Sequence, residues 1–131
     1  MKTLLLVHDQ QTSPAPRIQF LEMGGYHVIP LASSTEALRA VTQNKPDLLL
    51  LDVLVAGQNG FELAAEVRKS FDADALPIVM FSGIYRGRAY SEESLNVGVQ
   101  EYLSSPVDLE QLVRTVNQLL GGAKSEVRRA G

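Results

Sequence analysis

The sequence has 131 residues, of which 45% are hydrophobic and 21% charged, with a net charge of −3 and a pI of about 5.3. This composition is typical of one globular domain and argues against an electrostatic nucleic-acid binder, since such proteins are usually basic. The absence of cysteine excludes a disulfide scaffold, a thiol nucleophile and a cysteine-ligated metal. No apolar run approaches the ~20 residues of a membrane span, and the apolar run near the start is too short for a secretion signal. We therefore expect a cytoplasmic protein.

Five short segments of the sequence predict five strands, and three of these segments are fully apolar. The central run, Leu48–Leu51, consists of four leucines and ends on Asp52. Because it has no polar side, it predicts a strand buried on both faces, as in a parallel sheet. The other predicted strands cover Leu4–Val7, Tyr26–Leu31, Ile78–Phe81 and Glu101–Leu103. Pro30 predicts that the second strand lies at an edge of the sheet, because proline cannot donate a ladder hydrogen bond.

The first two helices are bounded by typical start and stop residues. A proline near the first turn and a Gly-Gly pair predict the first helix at about Pro16–Met23. Ser33 and Glu36 fit a capping box, with Ser33 as the N-cap, and the second helix is predicted to end near Asn44.

The remaining helices are predicted to begin at Asn59, Ser91 and Asp108, with Asn59 and Asp108 as N-cap residues. Residues 84–90 are predicted to form a polar loop in which Arg86 and Arg88 face solvent. The helix after that loop would carry two acidic residues in its first turn, as the helix dipole favours. The last helix has the clearest amphipathic pattern of the chain.

Regular alternation of strands and helices with short connections predicts an α/β fold whose parallel sheet is covered by helices on both faces. Residues 1–122 form the predicted domain, and residues 123–131 form a charged tail or the start of a linker. A small flavodoxin-like enzyme or nucleotide binder would need a glycine-rich phosphate loop after the first strand, and residues 10–14 (QQTSP) contain no glycine.

Polar residues stand where three of the strands end: His8 with Asp9, then Asp52, then Ser82. A lone Asp52 would more simply begin a polar loop, but parallel strands bring these ends to one edge of the sheet. Two carboxylates that close together repel unless one is protonated or a cation neutralises them. Mg²⁺ prefers such oxygen ligands, and the Ser82 hydroxyl can hydrogen-bond an anion. This set indicates phosphoryl transfer with Asp52 as the nucleophile.

The chain from Lys2 to Gly121 resembles the receiver domain of two-component response regulators. Four stretches, in the family's order and spacing, carry the resemblance: Leu5–Asp9, Asp52 with Asn59–Glu62, Pro77–Gly83 and Gly98–Pro106. The resemblance implies a flavodoxin-like, doubly wound, five-stranded parallel sheet of strand order 2-1-3-4-5 with helices on both faces.

The resemblance also implies roles for individual residues. Asp52 matches the phosphoacceptor. Mg²⁺ would be bound by Asp9, Asp52 and the backbone carbonyl of Leu54. Ser82 matches the hydroxyl that contacts the phosphoryl group, and Tyr102 matches the aromatic switch residue whose rotamer follows Ser82.

Three positions depart from the family's pattern. Ser105 stands where a lysine is expected that pairs with the phosphoryl oxygens, through a charge-assisted bond worth about 1.5–3 kcal/mol. His8 stands where a second acidic residue is expected, and Ala56 replaces a loop proline. Because one acid and one base are both absent, the net charge of the pocket is nearly unchanged. We expect a retuned pocket and not an inactive one, because Asp9, Asp52 and Ser82 all remain.

Two residues of the pocket have more than one interpretation. His8 is a pH-sensitive partner of Asp9 or of a metal-bound water, a partial substitute for the absent cation, or a neutral side chain that fills space. Tyr102 is a switch residue or a packing residue with a solvated hydroxyl.

The resemblance implies a signalling switch that takes a phosphoryl group from a sensor histidine kinase or phosphotransfer protein and then changes its binding to a downstream effector protein. It would catalyse only its own phosphorylation and use the face beside the last helix if it forms a homodimer. The acidic net charge and the short apolar runs predict that it binds neither nucleic acid nor membrane. The alternative is a pseudo-receiver, a phosphorylation-independent interaction module, which His8 and Ser105 favour.

Overall fold

The computed structural model of the chain describes residues 1–9, 13–55, 59–82, 88–104 and 108–121. Within these ranges, five strands alternate with five helices: β1 Thr3–Val7, α1 Ala15–Met23, β2 His27–Leu31, α2 Ser34–Asn44, β3 Leu48–Asp52, α3 Gly60–Arg68, β4 Ile78–Ser82, α4 Arg88–Asn96, β5 Glu101–Ser104 and α5 Leu109–Leu119. All strand pairs are parallel, and the sheet order is β2-β1-β3-β4-β5. The predicted fold class and strand order are confirmed. The predictions for Ala56, Ser105 and residues 123–131 lie outside the described residues.

Strand β3 is buried on both faces, as the four-leucine run predicts. Each residue of Leu48–Leu51 is fully inaccessible to solvent, and burial of one leucine side chain contributes roughly 1.5–3 kcal/mol. Leu48 and Leu50 belong to the core beneath α1 and α5, whereas Leu49 and Leu51 belong to the core beneath α2 and α3. The sheet is therefore covered on both sides, and its polar strand ends are the places where chemistry is possible.

Strand β2 lies at an edge of the sheet, where Pro30 is exposed. The missing N–H of Pro30 therefore leaves no gap in a central ladder. No helix within the described ranges has the length and apolar character needed to cross a membrane.

The predicted cap of α2 is confirmed, but its capping box is incomplete. Ser33 accepts a hydrogen bond on its side chain from the Glu36 N–H, at 3.2 Å. The Glu36 carboxylate bonds the N–H of Ala32, at 3.2 Å, instead of the N–H of Ser33.

The predicted caps of α3 and α5 are also confirmed. Asn59 and Glu62 form the full reciprocal box at the start of α3, at 2.9 and 3.3 Å. Asp108 accepts a hydrogen bond from the Glu110 N–H at 2.9 Å. The full box at α3 fixes the start of that helix at Asn59.

Helix α4 begins three residues earlier than predicted. Arg88–Tyr90 are helical, so Glu92 and Glu93 lie beyond the first turn, and the prediction of an acidic first turn is wrong. Arginine and alanine are strong helix formers, so the helix extends towards its N-terminus past Ser91. The predicted solvent exposure of Arg86 and Arg88 falls outside what the structure describes.

Arg68, the last residue of α3, connects three segments of the chain through its guanidinium group. Its Nε donates to the carbonyl oxygen of Gly98 at 2.9 Å, and one terminal nitrogen donates to the carbonyls of Phe71 and Leu76, at 3.0 and 2.7 Å. The other terminal nitrogen donates to Gln100 Oε1 at 2.9 Å. Arg68 therefore holds the end of α3 against the start of β4 and the turn that leads into β5.

Candidate functional site

The carboxyl ends of β1 and β3 lie at the point where the strand order reverses, because β2 and β3 flank β1 on opposite sides. Ligands of open α/β sheets bind at such a point. Asp9 follows β1 with one residue between, and Asp52 is the last residue of β3. The structure thus brings together the two carboxylates that the sequence singled out.

Asp52 is a buried carboxylate held by backbone hydrogen bonds. Only 8% of the residue is exposed, and the Leu54 N–H donates to Oδ1 at 3.0 Å. Burial raises the pKa of the Asp52 carboxyl, and the negative charge of Asp9 adds to the rise. Hydrogen bonds from the Leu54 and Asp9 backbone and the positive charge of Arg17 oppose it. The carboxylate therefore carries an electrostatic cost that an added cation would remove.

We expect Asp52→Asn to raise the free energy of unfolding at pH 7 by about 1 kcal/mol, because the amide keeps an acceptor for Leu54 but removes a partly compensated buried charge. The pKa of Asp52 is higher in the folded protein than its unfolded value of about 3.9. The wild type therefore loses stability as the pH rises from the unfolded pKa through the folded pKa. The excess free energy of unfolding of Asp52→Asn over the wild type should therefore develop between the unfolded and the folded pKa of Asp52. It should vanish below about pH 4.

Urea unfolding of both proteins from pH 3.5 to 7 measures this difference. The exposed Asp74 provides the matched control, since Asp74→Asn should show no such dependence. An advantage of Asp52→Asn that stays constant across the pH range would contradict the assignment.

The donors at the site suit a hard divalent cation. The charge of Asp9 acts on Asp52, and Mg²⁺ is commonly held by one or two carboxylates while it keeps several waters. Within the described ranges, no group of three or more His, Cys, Asp or Glu residues is placed to hold a metal. A cation here would therefore need backbone carbonyl or water ligands as well. The predicted set of Asp9, Asp52 and the Leu54 carbonyl has this character, and it stays a prediction.

His8 is tied to the backbone next to Asp9. Its backbone N–H donates to the Leu31 carbonyl oxygen at 2.9 Å, and its ring nitrogen Nδ1 lies 3.1 Å from the Asp9 carbonyl oxygen. Because a carbonyl only accepts, a hydrogen bond here requires the proton on Nδ1. The ring is therefore oriented by the main chain beside the carboxylates, and its three interpretations stay predictions.

Ser82 and Tyr102 lie on one face of the sheet. Ser82 ends β4 and is 1% exposed, and Tyr102 is paired in register with Met80, two residues before Ser82. Side chains two residues apart on a strand share a face. The Tyr102 ring stacks on Phe61, with centroids 6.3 Å apart and planes at 16°. Phe61 lies in the first turn of α3, so Tyr102 joins β5 to the helix that follows Asp52. The switch roles of Ser82 and Tyr102 stay predictions.

An open groove of about 600 Å³ lies between the end of β3, the start of α3 and α4. Its described lining residues include Leu54, Phe61, Glu62, Tyr90 and Glu93. The Phe61 ring on which Tyr102 stacks is thus part of the groove lining.

Gly60 allows α3 to begin directly against the end of β3. Its N–H donates to the Val53 carbonyl at 2.7 Å. A Cβ atom at this position would lie 2.6 Å from the Asp52 carbonyl oxygen and 2.9 Å from the Val53 Cα. The glycine thus sets how closely α3 approaches the main chain of Asp52, a role that the sequence analysis did not identify.

Arg17 belongs to this site, and sequence reasoning missed it. Its guanidinium carbon lies 4.6 Å from the centroid of the Phe81 ring, and its charge acts on Asp52. Arginine on a short helix is ordinarily expected to face solvent. The available signal was its spacing: Arg17 precedes the buried Leu21 by four residues, and residues at that spacing share one face of a helix.

The fold and this site define a class of protein. The chain matches the model of the response regulator receiver domain over residues 4–117 and belongs to that family. It is 28% identical over 127 residues to protein PilH of Pseudomonas aeruginosa, which covers 93% of this chain and 100% of PilH. It is 23% identical over 122 residues to the polar-differentiation response regulator DivK of Brucella ovis, covering 93% and 98% of the two chains. A crystal structure described as a response regulator from Chloroflexus aurantiacus has a TM-score of 0.83 and 33% identity, covering 91% of this chain and 97% of that one. The resemblance seen in the sequence is confirmed.

Proposed function

We propose that this receiver domain accepts a phosphoryl group on Asp52 from a phosphohistidine of a sensor histidine kinase or phosphotransfer protein. The observation that carries the proposal is the position of Asp52. It is a buried carboxylate at the end of a central strand and the topological switch point, with the negative charge of Asp9 acting on it. The Leu54 N–H donates to its Oδ1 at 3.0 Å, and a carboxylate held in one orientation supports a role as nucleophile.

In the proposed step, a carboxylate oxygen of Asp52 attacks the phosphorus of the phosphohistidine. A P–O bond to Asp52 forms and the P–N bond to the donor imidazole breaks. The electron pair of that bond goes to the imidazole nitrogen, which then takes a proton from solvent. Such transfers need little beyond positioning and neutralisation of charge.

Mg²⁺, when bound by Asp9, Asp52 and the Leu54 carbonyl, would neutralise the negative charge of the carboxylates and of the phosphoryl oxygens. The chain's own residues do the rest. Backbone N–H groups hold the nucleophile, and the Ser82 hydroxyl, buried at the end of β4, would hydrogen-bond a phosphoryl oxygen.

The proposed output is a change in binding to an effector protein. Ser82 and Tyr102 share a face of the sheet, and Tyr102 stacks on Phe61, a lining residue of the groove between α3 and α4. A shift of Ser82 towards the phosphoryl group would be transmitted to this groove through Tyr102 and Phe61. The protein would thus be a switch that catalyses only its own phosphorylation.

The experiment is phosphorylation of the purified full chain by acetyl phosphate with and without Mg²⁺, followed by intact mass. We expect the wild type to gain one phosphoryl group only with Mg²⁺, Asp52→Ala to gain none, and the exposed control Asp74→Ala to match the wild type. The proposal fails if the wild type gains no phosphate, or if Asp52→Ala gains as much.

A phosphorylation-independent pseudo-receiver is the second candidate, favoured by His8 and Ser105 in the sequence. Titration with Mg²⁺ separates the two candidates, because an active pocket binds the ion and a pseudo-receiver does not. Loss of the binding signal in Asp52→Ala would place the ion at the pocket.

A further inference from the structure

The proposed phosphoryl group adds negative charge to a pocket that already holds two carboxylates. A phosphoryl group carries roughly −1.5 to −2 charges and three acceptor oxygens, and it would be added where Asp9 and Asp52 already interact unfavourably. Position 105, where the family's lysine is expected, is serine. A cationic side chain from another part of the chain would compensate the added negative charge.

Arg17 is placed to supply that cation. By strand alternation, Asp52 follows Leu48 and Leu50 on the face of the sheet that α1 and α5 cover. Phe81, the partner of Asp52 in the β3–β4 register, belongs to the same core. Arg17 reaches from α1 and lies over the Phe81 ring, 4.6 Å from its centroid. The guanidinium therefore lies over the immediate neighbour of Asp52, on the same face of the sheet.

One nitrogen of Arg17 has no partner in the part of the chain that the structure describes. Its Nε is buried and makes no hydrogen bond. Its positive charge attracts the Asp52 carboxylate, yet no ion pair joins the two described side chains directly. A buried donor without a partner is uncommon, because its lost hydration is not replaced. The phosphoryl oxygens would extend beyond the carboxylate and offer such a partner.

We propose that Arg17 is a phosphoryl-binding residue, which donates charge-assisted hydrogen bonds from α1 to the phosphoryl group on Asp52. The inference rests on the proposed function. A guanidinium suits the task, since it stays charged and its planar fork matches phosphate oxygens in pairs. Stacking on Phe81 restricts the side chain before the phosphoryl group arrives. The pocket would thus be retuned, with its cation on α1 in place of position 105.

The competing role for Arg17 is structural: it would only cover the apolar ring of Phe81. Two substitutions separate the roles. Arg17→Met keeps a long apolar side chain over the Phe81 ring and removes the positive charge. Arg17→Lys keeps the positive charge and removes the planar guanidinium group with its paired N–H donors. Arg114→Met, on the exposed side of α5, is the matched control for the loss of one positive charge.

The test uses the full chain, acetyl phosphate and Mg²⁺, and measures the phosphorylated fraction at steady state and the lifetime of the phosphoryl group after the donor is removed. We expect Arg17→Met to lower the ratio of phosphorylated to unphosphorylated protein about 10- to 100-fold. This is the change expected from the loss of one charge-assisted hydrogen bond. Arg17→Lys should recover part of the loss, and Arg114→Met should behave as the wild type. Thermal unfolding of each unphosphorylated variant shows whether the fold is retained, and Arg17→Gln replaces Arg17→Met if the latter does not fold.

The outcomes separate this inference from the proposed function. A phosphorylated wild type with an equally phosphorylated Arg17→Met overturns the role of Arg17 and leaves Asp52 as the acceptor. An Arg17→Lys variant as defective as Arg17→Met, with both folded, also overturns it, because the charge would then contribute nothing. A wild type that takes no phosphate overturns the proposed function, and the inference with it.

Discussion

Arg68→Met is expected to lower the free energy of unfolding by about 3–5 kcal/mol. The substitution keeps the aliphatic part of the side chain but removes four hydrogen bonds, to the carbonyls of Gly98, Phe71 and Leu76 and to Gln100 Oε1. Each bond involves a charged donor and lies in a partly buried region, where burial lowers the pKa of the guanidinium. The acceptors left behind would be poorly hydrated, which adds to the loss.

Urea unfolding at neutral pH measures this loss. Arg39→Met on the exposed side of α2 is the matched control and should change the free energy of unfolding by no more than about 0.5 kcal/mol. Equal losses for the two variants would show that the four hydrogen bonds contribute little. The effect should extend to the site, since Gly98 and Gln100 lead into β5, which carries Tyr102.

Gly60→Ala is expected to cost about 2–3 kcal/mol, because the new Cβ atom cannot be accommodated without movement of the main chain. It would meet the Asp52 carbonyl oxygen at 2.6 Å and the Val53 Cα at 2.9 Å, and both are backbone atoms. Either α3 or the end of β3 must shift. The phosphorylation of Asp52 by acetyl phosphate should therefore fall together with stability.

Gly24→Ala is the matched control for Gly60→Ala. Gly24 has a φ of −81°, which any residue adopts, and its nearest contact for an added Cβ is 3.3 Å. We expect a smaller loss of stability in urea and no change in phosphorylation. If Gly60→Ala were as stable and as readily phosphorylated as Gly24→Ala, the close packing of α3 on Asp52 would not matter.

Much of the fold could be predicted because its signals are local. The leucines of β3 have no polar face, so only a strand covered on both sides accommodates them. Ser33, Asn59 and Asp108 cap helices through bonds to N–H groups within three residues. Local propensity also explains the error at α4, where good helix formers extend the helix towards its N-terminus ahead of Ser91.

Part of the candidate site could also be predicted from the sequence, and part could not. Asp9, Asp52 and Ser82 could be predicted, because each stands where an apolar strand ends and parallel strands end at one edge. The placement of the Tyr102 ring on Phe61 could not, since these residues belong to different elements and meet only when β5 joins the sheet.

By itself, the sequence determined the parallel sheet, its strand order through the family's motifs, and the carboxylates at its edge. Tertiary structure alone decided that Arg17 lies over Phe81 beside Asp52, that Gly60 packs on the main chain of Asp52, and that Arg68 binds Gly98, 30 residues away. The physical reason is that the hydrophobic periodicity of a segment and its capping residues depend only on residues close to one another in the sequence. Contacts between elements depend on which face of each helix meets the sheet, and that is set when the two cores close around β3.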